Sequence, residues 1–173
     1  MMDLFISSII CGRTNVGVFL VNRAVNELKY DFLPEKTQGN VSHHAISHGA
    51  KNTAPFTKFF TAADKWHAGH LARLLQALDS VPEDGGTMLD HTIVMWTTET
   101  NHPNTHLHHS MQLGIFGGGA IPGWKTGQVI DGKGTTPYHN AHVSIMRAFG
   151  FDQNTFGPKN GSKSTGPLTE LYA

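Results

Sequence analysis

The 173-residue chain has a single cysteine, Cys11, which excludes an intrachain disulfide framework and leaves the redox compartment unreadable from sulfur. Charge is scarce as well. Asp, Glu, Lys and Arg make up only 15% of the residues, against roughly 25% in an ordinary soluble domain. The 13 basic and 13 acidic residues cancel. Without a basic excess there is nothing to grip a phosphate backbone, so nucleic acid is not an expected partner. No acidic or basic block suggests a charged tail. No run of about 18 uncharged apolar residues occurs, so no transmembrane helix and no membrane partner are expected. The apolar stretch at Leu4–Ile10 lacks a positive leading region and a small-residue cleavage site. It reads as a first amphipathic helix rather than a signal peptide. The chain also has no HExxH, no cysteine pair for zinc, no P-loop, no dinucleotide fingerprint and no G-x-S-x-G elbow.

What is abundant is histidine, with 12 copies in a chain of zero formal net charge. Most lie in polar stretches between periodic segments. His43, His44 and His48 form one group, and His102, His106, His108 and His109 a second. His139 and His142 flank the start of the last helical pattern. His67 shares a helical face with Phe60, Leu71, Leu74 and Leu78, so a buried, hydrogen-bonded histidine is expected there, with His70 at the edge of that face. His91 leads into a strand.

The hydrophobic pattern gives helices at 3–11, 56–81 and 140–149, the last ended by Gly150. Strands are expected at Asn15–Asn22, Thr92–Thr97 and Met111–Phe116. Residues 30–55 have no clear period and read as a long loop. Gly117-Gly118-Gly119 reads as a tight turn rather than an anion cradle. Trp66, Trp96 and Trp124 read as core and loop packing rather than a sugar platform. The order of elements predicts one α/β domain, a three-layer α/β/α sandwich with a mainly parallel sheet, over residues 1–150, followed by an extended tail at 151–173. Three strands are few for that class, so part of the sheet is expected to be missing or supplied by another chain.

In an open α/β sheet, sites form at the carboxyl ends of strands. Glu99 and the 102–109 cluster follow the second strand directly. Imidazole suits zinc, copper, iron and nickel, and added carboxylate favours harder ions. A catalytic zinc keeps three protein ligands and one open position. A divalent metal is therefore the expected cofactor, zinc first, with Cu, Mn or Ca as alternatives. Glu99 is the candidate ligand or general base. The competing reading of the same histidines is a solvated or hydrogen-bonding loop.

Several short segments, in order, carry a family resemblance. They are Cys11-Gly12-Arg13-Thr14-Asn15-Val16, His43-His44-Ala45-Ile46-Ser47-His48, and Asp84-Gly85-Gly86-Thr87-Met88-Leu89-Asp90-His91-Thr92-Ile93-Val94. Asn101-His102, the glycine turn and Phe156-Gly157 follow. This order resembles the C-terminal half of a large bacterial family of exported proteins of unknown function in the alkaline-phosphatase and sulfatase-like clan, over roughly residues 3–171. The resemblance implies an α/β/α sandwich, export, and descent from a metal-dependent hydrolase. It places His43, His44 and His48 in the first ligand group, Glu99 and His102 where an Asp-His pair would stand, and His139 or His142 as the last ligand. The clan's nucleophile and first metal-binding aspartate fall in an N-terminal half that this chain lacks. The implied substrate is a small-molecule or carbohydrate ester of the phosphate or sulfate type. A homo-oligomer, or pairing with the missing half, is the implied assembly. The alternatives are a non-catalytic metal-binding or interaction module and, more weakly, a copper redox protein.

Overall fold

The structure is a computed structural model that describes residues 1–23, 25, 27–35, 42–49, 54–158 and 163–172. Parts of the expected loop at 30–55 and of the expected tail at 151–173 lie outside these residues. The chain divides into two compact units. The first is Met1–Ala77 with Glu99–His108, and the second is Leu78–Thr98 with His109–Ala173.

The first unit is helical. Helix α1 spans Met2–Ile10. It stops at Gly12, whose φ of 62° lets the Arg13 amide reach back to the Ser8 carbonyl (2.9 Å) while its own amide bonds Ile9 (2.9 Å). Helix α2, His43–Gly49, forms inside the stretch that reads as a loop. The Ser42 hydroxyl accepts the Ala45 amide at 3.2 Å and so caps its first turn. Helix α3, Ala54–Asp79, matches the expected 56–81 pattern closely. Its buried positions Phe59 and Ala63 meet Tyr30 and Ile46 in one core, with Leu33, Phe60 and Trp66 packed around it.

Tyr30 is the centre of that core and is fully buried. Its ring meets Phe59 and Trp66 edge-on, at centroid distances of 5.9 and 5.7 Å. Its backbone has φ 49°, a left-handed conformation that costs a non-glycine residue roughly 1–2 kcal/mol. The surrounding aromatic packing holds it there.

The second unit contains all the sheet structure among the described residues. Strands β1 (Pro82–Glu83) and β2 (Gly86–Thr87) form a short antiparallel hairpin. Strands β3 (Ile93–Thr97) and β4 (Leu113–Gly117) pair antiparallel from Ile93–Gly117 to Thr97–Leu113. Helix α4 spans His139–Ala148 and ends at Gly150, as its sequence signals. The Phe151 amide reaches the Met146 carbonyl (3.1 Å) across that glycine. The glycine run is a structural turn. A Cβ on Gly117 would collide with the Thr92 and Leu89 carbonyl oxygens, and the Gly118 amide already donates to Leu89 at 3.0 Å.

The expected three-layer α/β/α sandwich with a parallel sheet is not what forms. Two of the three expected strands exist, but they pair antiparallel with each other. A parallel pair would need a crossover, usually a helix; the segment between β3 and β4 contains only a single 3-10 turn at Pro103–Thr105. The third expected strand, Asn15–Asn22, joins no sheet among the described residues. Phe19 packs on Phe5 of α1 with centroids 5.3 Å apart, while Val16, Val18 and Leu20 remain exposed. A short apolar run signals extended backbone equally well in a sheet or alone, so periodicity could not supply its partner.

Residues near the C-terminus are stapled to α4. The fully buried Ser144 hydroxyl donates to the Asn140 carbonyl (2.9 Å) and accepts the Leu168 amide (2.7 Å). The Tyr172 hydroxyl donates to the Ser144 carbonyl. One turn earlier, the Asn140 amide side chain pairs both ways with Thr165, at 3.0 and 2.9 Å. Removing Ser144 Oγ strands the Leu168 amide, a cost of about 1–3 kcal/mol. We expect Ser144→Ala to lower the denaturant midpoint and to speed amide exchange at Leu168. Unchanged exchange at Leu168 would show that this staple carries no stability.

Candidate functional site

The two helical segments of the first unit sort its histidines into two environments. His43 and His67 turn into the core. The Tyr30 hydroxyl and His67 Nε2 are 2.5 Å apart, a short hydrogen bond in which the phenol donates when Nε2 is unprotonated. The His43 ring packs against Tyr30 (5.5 Å) and Phe60 (5.2 Å). Burial first, then the neighbouring His44, lowers the His43 pKa below its ordinary 6.5. Burial also dominates at His67 and lowers its pKa, with His43 adding to the effect and Asp64 opposing it.

The other imidazoles of α2 face outward. His44 and His48 are one helical turn apart and therefore share a face. Their ring centroids are 4.6 Å apart. His106 comes from the distant 99–108 loop, and its ring lies 5.0 Å from that of His48. The loop is built to present it. The Asn101 amide bonds the Leu107 carbonyl (2.9 Å), and the Thr105 amide bonds the His102 carbonyl (3.3 Å). His106 itself takes a left-handed conformation, φ 53°, which ends the 3-10 turn. His108 Nδ1 closes the base of the loop on the Glu99 carbonyl at 2.9 Å, and His102 Nδ1 is 3.0 Å from the Thr105 hydroxyl.

The structure thus brings together His44, His48 and His106. His43 anchors their helix instead of joining them. His102 and His108 shape the loop, and Glu99 is exposed at its base. His139 and His142 belong to the second unit, on α4, with ring centroids 6.3 Å apart. The His142 ring stacks on Phe156 at 4.3 Å. Burial, then His139, holds its pKa below 6.5, with the Tyr138 backbone opposing them.

The donor set can be compared with a metal's requirements. Two imidazoles sharing a tetrahedral zinc, with Zn–N bonds of about 2.0–2.1 Å, have ring centroids roughly 5 Å apart. The 4.6 and 5.0 Å separations match that spacing. Among the described residues, however, no three His, Cys, Asp or Glu side chains are arranged so that they could hold a metal ion. Gathering the nitrogens on one ion would require the rings to turn from these positions; His48 and His106 are exposed.

Sequence reasoning did not identify Tyr30, which lies at the edge of an aperiodic stretch and has no signal of its own. Comparison of the chain with family models, curated proteins and solved structures gives no match. Among the described residues no helix is long and apolar enough to cross a membrane.

The core histidines make stability depend on pH. Both have folded pKa values below 6.5. As the pH falls below 6.5, the unfolded chain therefore takes up protons that the folded chain refuses. Their contribution is complete above 6.5 and is lost on acidification. We expect the urea midpoint of the first unit to drop between pH 7.5 and pH 5, and the drop to shrink in His67→Gln. A flat midpoint across that range would show that these imidazoles do not titrate with folding.

Proposed function

We propose that the protein binds a divalent transition metal, zinc first, through His44, His48 and His106, and that it belongs chemically with metal-dependent hydrolases acting on phosphate- or sulfate-type esters. The observation that carries the reading is the meeting of three imidazoles from two segments far apart in sequence, at centroid spacings of 4.6 and 5.0 Å. A divalent metal bound there would supply a Lewis acid that polarises an ester oxygen and acidifies a bound water.

The remaining chemistry belongs to the chain. His44 and His48 hold their positions because α2 is rigid, and α2 is fixed by His43 and Ile46 in the core. His106 is placed by its loop, which His108 closes on Glu99. Glu99 heads that loop with an exposed side chain and is the candidate to accept a proton from an attacking water. A three-imidazole set would itself leave the charge of a bound divalent metal uncancelled and so suit an anionic ester.

A second reading, a metal-binding module without turnover, is favoured by one observation: among the described residues the ligating atoms have not converged as in a finished site. One series of measurements separates the two. Zinc titration by calorimetry should show one saturable site, and His44→Ala, His48→Ala and His106→Ala should each weaken it about tenfold or more. Hydrolysis of 4-nitrophenyl phosphate and sulfate should be abolished by a chelator and restored by zinc. Glu99→Gln should slow it about 10²–10⁴-fold with zinc affinity unchanged. Zinc binding without turnover on either ester supports the module. No saturable zinc binding overturns both readings.

A further inference from the structure

The second unit contains a cleft of about 390 Å³ that the histidine site does not use. That size suits a small organic ligand. Its deeper wall is apolar, made by Leu113 and Ile115 of β4, the buried Trp124, and Leu171. Lys125 stands exposed at the rim and is the only charged residue lining the cleft among the described residues. Its backbone is fixed, since its amide donates to the Leu171 carbonyl at 2.9 Å. The neighbouring Trp124 meets Tyr172 edge-on at 5.8 Å.

Tyr138 lines the same cleft, and its hydroxyl is buried without a hydrogen-bond partner. With no accessible surface, that hydroxyl is part of the wall and not a contact for a ligand. The walls therefore combine one cation, an apolar body and, among the described residues, no acidic side chain.

We propose that this cleft binds a small amphipathic monocarboxylate, whose carboxylate pairs with the Lys125 ammonium and whose hydrocarbon body covers Leu113, Ile115 and Trp124. The charge selects an anion over an amine, and the apolar wall selects a chain over an inorganic ion. Neither Lys125 nor Tyr138 belongs to the metal-site reading, so the two stand or fall separately.

The test is calorimetric titration of the intact chain with octanoate, octanol and octylamine. Octanoate should bind saturably with one site per chain, octanol about tenfold more weakly, and octylamine more weakly still. Lys125→Met should remove the preference for octanoate over octanol while leaving octanol binding unchanged. Tyr138→Phe discriminates further. It removes a buried hydroxyl that the ligand does not reach, so the ligand-free protein should melt at the same temperature or higher and octanoate affinity should be unchanged. Equal affinity for octanoate and octylamine, octanoate binding unaffected by Lys125→Met, or adventitious binding without saturation would each overturn the proposal.

Discussion

The hydrogen bond between Tyr30 and His67 is the constraint on which the first unit depends. It joins a residue in left-handed backbone to the middle of α3, setting the buried Tyr30 ring against Phe59 and Trp66 and the half-buried His67 ring against Trp66. Because Tyr30 is held there, the space beside it is filled by His43 and Ile46, and that fixes the rotation of α2. Once His43 faces inward, helical spacing turns His44 and His48 outward as a pair. The exposed imidazole cluster therefore depends on a buried phenol–imidazole contact. A neutral imidazole at His67 suits that contact, because a protonated ring could no longer accept the phenol's hydrogen.

The histidine content that stands out in the composition resolves into groups with different physical roles. Some imidazoles act as core aromatics with lowered pKa values. Others, at His102 and His108, brace a loop by bonding to neighbouring polar atoms. His44, His48 and His106 are exposed or half-exposed, with His48 close to each of the other two. In the second unit, His142 behaves as an aromatic stacked on Phe156. A scarcity of ordinary charge makes this use of histidine consistent: it supplies polarity, packing and ligand atoms from one residue type.

Much of the secondary structure was legible because its signals are local. The period of α3, the glycine at 150, and the β-branched run at Thr92–Thr97 are set by residues within a few positions of each other. Pairing was not legible. Whether β3 and β4 run parallel or antiparallel depends on the path of the chain between them, and the polar 98–112 segment carries no period that says so. Helix α2 is too short to show a period, and its stability comes from Ile46 and His43 meeting Tyr30, a contact that spacing cannot reveal. The four-residue spacing of His44 and His48 gives them a shared face only because this stretch, which reads as a loop, forms α2. Which of the clustered histidines at 102–109 would reach them depended on the left-handed turn at His106. Tyr138 and Lys125 carried no signal, because a cleft arises from the packing of several segments.

The central claim is that three imidazoles, from α2 and the 99–108 loop, share one metal ion. X-ray absorption at the zinc edge of the zinc-loaded protein tests it most directly. The expected spectrum has only nitrogen and oxygen scatterers at about 2.0–2.1 Å, with the outer-shell pattern of about three imidazoles, falling to two in His106→Ala. A sulfur scatterer, fewer than two imidazoles, or a spectrum unchanged by His106→Ala would contradict it.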